Sequence, residues 1–346
     1  MKIKKFGIIG CGMISKFHAL AIRSIGAELV ACYDQLPLAA ERVAKENGCK
    51  AYHDLKDFLA DPEVEIVTIG TPSGAHMDPA IAAAQAGKHV IVEKPLEVTP
   101  ERCDKIIAAC ESAGVTLSTV FPSRFHQSSV QLKRAIESGR FGKLTLGDAI
   151  VKWYRTQEYY DSGVWRGTWK LDGGGALMNQ AIHSVDLLIW LMGDVAEVTA
   201  LTGLVAHERI EVEDVAVAAL RFKSGALGLL EATTAAYPGY LKRIETHGSN
   251  GSAVIEEEDI IKWDFVESRE EDAMIRESMT NRLSGGGGAG DPSAIGYQAH
   301  AKQFQDVLSA IEEGRKPLID GHEGRKSVAV ICAVYESARE KKTITM

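Results

Sequence analysis

A few side chains occupy positions where their chemical types suit proton transfer or the holding of a developing charge. Lys94 follows the apolar run His89-Val90-Ile91-Val92 and the acid Glu93, and Pro95 comes directly after it. Proline cannot continue a strand ladder and biases the preceding residue toward extended backbone, so Lys94 is expected to project from a rigid strand end. Taken singly, a lysine there is ordinarily a surface residue. Asn179, His183 and Asp186 are spaced i, i+4 and i+7 after the loop Gly173-Gly174-Gly175, which puts them on one helix stripe facing a cleft. Three chemistries compete for this stripe. Metal ligation is disfavoured, because asparagine is a poor ligand and no HExxH or cysteine pattern accompanies it. A buried hydrogen-bond network and acid–base catalysis by His183 remain.

A second group of residues suits a dinucleotide. Gly10-Cys11-Gly12-Met13-Ile14-Ser15 joins a short apolar strand to a helix and reads G-x-G-x-x-S. Gly10 can make the tight turn and Gly12 lets backbone approach a pyrophosphate at the helix N-terminus, while Ser15 replaces the third glycine of the fingerprint. Asp34 follows the second strand, where a carboxylate accepts both ribose hydroxyls of NAD and repels a 2′-phosphate. NAD is therefore expected over NADP, with Arg42 and Lys45 placed too far along the next helix to hold a phosphate. Thr71, Pro72 and His76 break another strand at its carboxyl end, where ligands of parallel sheets collect. Gly10, Gly12, Met13, Ile14, Asp34, Thr71, Pro72, His76, Glu93 and Lys94 are the candidate cofactor contacts.

Substrate contacts are expected from a segment rich in aromatic side chains. Tyr154, Tyr159, Tyr160, Trp165, Arg166 and Trp169 precede the glycine loop. Aromatic faces stack on sugar rings and arginine suits a carboxylate or phosphate, although Trp165 and Trp169 serve a buried core equally well. Arg124, Tyr154, Trp165, Arg166, Asn179 and His183 are the candidate substrate contacts.

The elements that must position these groups alternate over the first third of the chain. Strands are expected at 6–9, 28–33, 66–69, 89–92 and 116–120, with helices between them, which means βαβ units and a parallel sheet. Beyond Pro122 the period changes to two, and 214–222 with 226–234, and 241–248 with 253–257, read as antiparallel hairpins. A helix is expected from Ala176 to Leu191, stopped by Gly193. The fold class is α/β in two domains, 1–122 for the cofactor and 123–346 for substrate and self-association. The acidic run Glu256 to Asp259 reads as a solvated rim. Ser284 to Pro292 is read as a disordered tip or a mobile lid. The helix beyond it, with Tyr297, His300 and Gln303, could bring His300 near the cleft, although surface exposure is the expectation for each of the three.

Composition limits the function classes. Forty-seven acidic against 39 basic side chains give a formal charge of −8, which argues against a general nucleic-acid binder. No stretch approaches the roughly 20 apolar residues of a membrane span. No long apolar region follows the first five residues, so no signal peptide is expected. The six cysteines form no C-x-x-C pair and read as free thiols, making cytoplasm the expected compartment.

The chain resembles the Gfo/Idh/MocA family of oxidoreductases. The resemblance rests on Gly10-Cys11-Gly12, Thr71-Pro72-Ser73-Gly74-Ala75-His76, Glu93-Lys94-Pro95, the Gly173-Gly174-Gly175 loop leading to His183 and Asp186, and Tyr335-Glu336-Ser337-Ala338. It implies a Rossmann doubly wound parallel sheet, then an α/β domain with a large open, mostly antiparallel sheet. It further implies that Lys94 and His183 face the nicotinamide and that the Lys94–Pro95 peptide is cis. Many dehydrogenases of the family carry aspartate where Asn179 stands, so proton chemistry falls on Lys94 and His183, with Asn179 orienting a substrate hydroxyl. Met178-Asn179-Gln180 is similar to members acting on N-acetylhexosamine or nucleotide-sugar substrates. NAD-dependent hydride transfer at a sugar or polyol carbon is the expected function. A glycosidase using transient oxidation and a non-catalytic NAD-binding regulator are the rivals. A homodimer or homotetramer through the C-terminal sheet is expected, with no nucleic-acid or membrane partner and no metal.

Overall fold

A computed structural model describes residues 4–280 and 296–346. The stretch expected to form a tip or lid lies outside the described residues. Among these, the short apolar runs of the first third form six strands: β1 (Lys5–Ile9), β2 (Glu28–Tyr33), β3 (Lys50–Tyr52), β4 (Ile66–Ile69), β5 (His89–Val92) and β6 (Leu117–Thr119). All pair in parallel, in the order β3-β2-β1-β4-β5-β6. The order reverses direction between β1 and β4, the place where a doubly wound sheet opens a crevice. Near-continuous apolar strands are what burial on both faces demands. Helices Pro37–Asn47 and Pro100–Ala113 stop at Gly48 and Gly114, whose φ values of 68° and 67° end the helix with a left-handed residue.

Two elements of this sheet are additions to the expected set. β3 is three residues long, too short to show a period. Helix Leu55–Ala60 starts at Asp54, whose carboxylate accepts from the backbone N–H groups of Lys56 and Asp57.

The compact unit around this sheet comprises Met1–Pro122, Lys170–Gly173 and Gly296–Val328. The two returning segments have physical anchors. Gly74 N–H donates to the Leu171 carbonyl, and a side chain at Gly74 would collide with the Lys170 carbonyl. Helix Gln298–Glu313 buries Phe304, which stacks on Phe6 with ring centroids 6.0 Å apart. His300 and Gln303 lie on that same buried face, so their expected surface position is corrected. The signal was available: His300 precedes Phe304 by four residues and Val307 by seven, the spacing of one helix face.

The second unit comprises Ser123–Trp169, Gly174–Ile295 and Ala329–Met346. Its described strands are β7 (Leu144–Lys152), β8 (Val195–Gly203), β9 (Val215–Phe222), β10 (Leu227–Thr233), β11 (Arg243–Gly248), β12 (Gly251–Glu256), β13 (Asp259–Phe265) and β14 (Ile344–Thr345). They form one sheet in the order β13-β12-β11-β7-β10-β9-β8-β14, antiparallel except for the β7–β10 pair. The expected hairpins are β9–β10 and β11–β12. Sequence patterning missed β7, although it is central, because Gly147 interrupts its apolar face. A Cβ at Gly147 would stand 2.6 Å from Met192 Cγ, so the strand gives up a side chain where helix Ile182–Met192 approaches.

The acidic run is not a uniform solvated rim. Glu257 turns the chain with φ 53°, is buried, and pairs with Lys242 at 2.8 Å. No helix among the described residues is long and apolar enough to cross a membrane.

Candidate active site

The glycine turn after β1 is built from close backbone approaches. Gly10 has φ 92°, and a Cβ there would lie 2.7 Å from the Gly70 carbonyl carbon, so both the conformation and the space require glycine. A Cβ at Gly12, by contrast, would meet nothing within 4 Å, which leaves open space over the start of helix Ile14–Ser24. Met13 is exposed and Ile14 half-buried beside it. Ser15 is buried and its hydroxyl donates to the Gly12 carbonyl at 2.7 Å, so the serine in place of the third glycine ties the turn to the helix.

Asp34 closes the turn. One carboxylate oxygen accepts from Cys11 N–H at 2.7 Å and the other from Leu36 N–H at 2.8 Å. Arg42 corrects an expectation: its Nη2 donates to the Cys11 carbonyl at 2.7 Å, so its guanidinium reaches the glycine turn after all. An open helix N-terminus, a glycine turn and an acid at the end of β2 fit a dinucleotide pyrophosphate and ribose.

Lys94 stands alone in its stretch. Residues 90–93 and 95–98 are buried, and Lys94 between them is part-exposed. The Lys94–Pro95 peptide is cis. His76, one of the expected cofactor contacts, is buried with Nδ1 2.8 Å from the Pro95 carbonyl and Nε2 3.0 Å from the Thr71 carbonyl. The ring therefore bridges the strand ends that carry Thr71 and Lys94. Thr71 Oγ1 donates to the Ala75 carbonyl and closes the turn containing Pro72. Glu93 is buried, accepting from Lys94 N–H at 3.1 Å and facing His18 Nε2 at 2.8 Å. Burial raises its pKa, but the His18 hydrogen bond and the positive fields of His18, His300 and Lys94 outweigh that and bring it down to about 2.

In the second unit the expected helix is not uniform. Ala176–Ala181 is one π-helical turn, and the α-helix begins only at Ile182. Such bulges widen the spiral and recur at functional positions. Gly193 ends the helix with φ 91° and ψ −175°, a positive φ outside the left-handed helical region. From Asp172 to Ile189 every residue is buried except Asn179 and His183, which are part-exposed.

Asp186, expected on the same stripe, is buried in a bidentate pair with Arg124, at 2.9 Å from Nε and 2.7 Å from Nη2. This corrects the expectation for Arg124, which is 1% exposed and committed to an internal ion pair packed on Trp190. A buried guanidinium without its carboxylate would cost several kcal/mol, on the order of 3–5, so the pair is structural.

The loop before the π-turn is fixed from below. Buried Glu213 accepts from Gly175 N–H at 2.9 Å, Leu177 N–H at 2.8 Å and the Tyr335 hydroxyl at 3.0 Å. Burial pushes its carboxyl up to about 7 against these three hydrogen bonds. Side chains at Gly174 and Gly175 would run into Tyr335 and Glu213, which is why this loop is glycine.

Above it lies a polar cluster that sequence reasoning assembled only in part. Arg166 Nη1 donates to the Tyr159 hydroxyl at 2.6 Å and its guanidinium covers the Tyr159 ring at 4.3 Å and the Trp165 ring at 4.7 Å. Gln180 Nε2 donates to that same hydroxyl at 2.9 Å and to Asn179 Oδ1 at 3.2 Å. Arg155, which no motif singled out, donates to Gln180 Oε1 at 3.0 Å and lies over the Trp153 ring. Arg166, Trp165 and Asn179 are thus brought together. Tyr154 joins the cluster through its backbone carbonyl, which accepts from Arg155 Nη1 at 2.8 Å, while its ring packs against Tyr237. Trp165 is half-buried and Trp169 is exposed, its ring edge-on to Tyr335.

Comparison with known proteins decides the lineage. Residues 4–121 match the oxidoreductase family with an NAD-binding Rossmann fold, and residues 129–254 match the GFO/IDH/MocA C-terminal domain. The chain belongs to the GFO/IDH/MocA family. It is similar to the WlbA dehydrogenase of Bordetella pertussis, solved in complex with NADH and UDP-GlcNAcA, at 39% identity over 99% of this chain and 98% of that one, with a TM-score of 0.91. It is 27% identical to the myo-inositol 2-dehydrogenase of Thermotoga maritima, covering 99% of this chain and 98% of the relative. It is also 27% identical to the levoglucosan dehydrogenase of Pseudarthrobacter phenanthrenivorans, covering 98% and 97%. Like its GFO/IDH/MocA relatives, the chain is an NAD-dependent dehydrogenase acting on CH–OH groups of sugar-like substrates.

Proposed function

We propose that the chain oxidises a ring CH–OH of an anionic N-acetylhexosamine or nucleotide sugar, with His183 as base and Lys94 as electrostatic partner. The observation that carries this reading is the Arg155–Gln180–Asn179 chain of hydrogen bonds beside Arg166 and Tyr159. No carboxylate among the described residues pairs with Arg166. A guanidinium on aromatic faces, linked to Asn179 through Tyr159 and Gln180, suits a carboxylate or phosphate on a sugar. UDP-GlcNAcA, the ligand solved with the Bordetella relative, carries both groups.

NAD, when bound, would supply the hydride acceptor, held by Gly10, Gly12, Met13, Ile14, Asp34, Thr71 and Pro72. Glu93, expected among these contacts, is instead buried with its carboxylate on His18 and the Lys94 N–H. As the C–H bond breaks and the carbonyl forms, the hydroxyl proton passes to the His183 imidazole. Such positioned transfer is worth about 10²–10⁴ in rate. The Lys94 ammonium holds the same oxygen and stabilises its developing negative charge. Asn179 orients the hydroxyl without taking a proton, because an amide has no basic lone pair at neutral pH.

The test is NADH formation with UDP-GlcNAcA, UDP-GlcNAc, myo-inositol and levoglucosan. Turnover is expected to favour the acidic nucleotide sugar, and preference for a neutral polyol would overturn the substrate class. Release of free sugar without net NADH would instead identify transient oxidation by a glycosidase. We further propose that the outward sheet face bearing Leu146, Leu201, Val217 and Leu227, all exposed, meets a second copy of the chain, in cytoplasm. Sedimentation as a monomer at micromolar concentration would contradict that.

A further inference from the structure

The cluster behind Lys94 is built almost entirely from buried polar groups. His18 comes from helix Ile14–Ser24, Thr68 from β4, Glu93 from the end of β5 and His300 from helix Gln298–Glu313. His18 Nδ1 lies 3.1 Å from Thr68 Oγ1, and His18 Nε2 lies 2.8 Å from Glu93 Oε1. His300 Nε2 stands 3.8 Å from that same oxygen, and the two imidazole rings are 5.9 Å apart. The second Glu93 oxygen accepts from the Lys94 backbone N–H. Two helices of one compact unit therefore bring imidazoles to a single carboxylate next in sequence to Lys94, and Thr68 of β4 holds the first of them. Carrying this much polarity into a core costs stability unless every group is satisfied, so an apolar packing would be the simpler way to hold a strand end.

We infer that His18, Glu93 and His300 form a positioning cluster for Lys94, holding a carboxylate charge beside it so that the lysine enters the reaction as an ammonium. The inference rests on the reading of Lys94 as the electrostatic partner of the reaction. Burial alone would push a lysine toward its neutral form, and a fixed negative charge opposes that. Other acids nearby are already engaged. Glu97 is buried, pairs with Arg102 at 2.8 Å and accepts from Val98 N–H. His76 bridges two backbone carbonyls. Glu93 is thus the acid whose loss Lys94 would register, while His18 and His300 hold that acid in place.

The test reads the lysine itself. Amine acylation at Lys94 is followed by peptide mass spectrometry across pH in the full-length protein, because only the neutral amine reacts. In the unmodified protein the Lys94 midpoint is expected no lower than that of the exposed Lys316; a midpoint a unit or more below it would overturn the inference. Glu93→Gln is expected to raise labelling at a fixed pH below the midpoint about tenfold, corresponding to about one pH unit. Glu93→Asp, which keeps the charge, is expected to restore the original profile. Equal profiles for folded Glu93→Gln and unmodified protein would refute the proposal, and the unmodified protein decides it should that variant not fold. One stoichiometric divalent metal in the purified protein would also overturn it, since an ion among these three residues would occupy the Glu93 charge. Turnover of Lys94→Ala separates the two levels. Retained activity sinks the catalytic reading, whereas an inactive Lys94→Ala beside an unshifted Glu93→Gln profile sinks the inference alone.

Discussion

Two buried glutamates, one in each unit, stand behind the two stretches proposed to react, and their carboxyls are shifted in opposite directions. Glu93, next to Lys94, is brought down to about 2, while Glu213, under the loop leading to Asn179 and His183, is pushed up to about 7. Both are buried and both accept several hydrogen bonds. The difference is the company. Glu93 has His18 in hydrogen-bond contact and His300 and Lys94 in its field, whereas Glu213 has two backbone N–H groups and the Tyr335 hydroxyl. At Glu213 the neutral donors do not offset the loss of water around the carboxylate, whereas at Glu93 the groups able to carry positive charge do. The first unit thus fixes its lysine with a charged anchor, and the second fixes its loop with a carboxyl poised near neutrality.

That contrast can be broken first at the reactive groups. Lys94→Ala and His183→Ala are each expected to lower kcat by about 10²–10⁴ while NAD still binds, read by steady-state kinetics and NADH fluorescence. A near-normal kcat in either variant would remove that residue from the mechanism.

The glutamates themselves should give opposite slopes of stability against pH. Glu213 has a raised folded-state pKa, so its contribution is fully present below about 4.5 and is lost as pH rises through about 7. The loss is on the order of 3 kcal/mol. Glu93 has a lowered one, so its contribution is present above about 4.5 and lost as pH falls toward 2. Thermal denaturation from pH 5 to 8 should show a Tm decline that Glu213→Gln flattens and Glu93→Gln leaves in place. If Glu213→Gln keeps the whole decline, the assignment of that slope is wrong.

Smaller effects sharpen the binding side of the comparison. Asp34→Ala is expected to weaken NAD binding about tenfold, roughly 1.4 kcal/mol, and to improve relative use of NADP, because Arg42 already reaches the turn beside it. Unchanged coenzyme preference in a titration would exclude the ribose contact. Arg166→Met should raise KM for an acidic sugar several-fold, about 1 kcal/mol or slightly more, with little change in kcat or Tm. An equal effect on a neutral sugar would show that Arg166 does not read charge.

Much of the first unit was legible before any coordinates. Its strands are apolar runs bounded by glycine and proline, signals that depend on neighbours in sequence. The positions of Asp34, Lys94 and His183 were legible for the same reason, since each sits at a fixed offset from a glycine turn, a proline or a helix start. The role of Arg124 was not, because its partner Asp186 is 62 residues away. Arg155 was missed for a similar reason: its bond to Gln180 spans 25 residues and leaves no period.

What the sequence determined alone, then, was local: the parallel βαβ order, the two hairpins, the glycine turns, and which residue types stand at strand ends and on the His183 helix. Tertiary structure decided what required distant segments to meet. It returned Lys170–Gly173 and Gly296–Val328 to the first unit, put β7 beside β10 and β11, and buried Asp186 on Arg124. It also set His18 and His300 around Glu93. The reason is physical. A backbone period records which face of an element is buried, but not which distant side chain will share that burial, and the charge state of a carboxylate depends on the second of these.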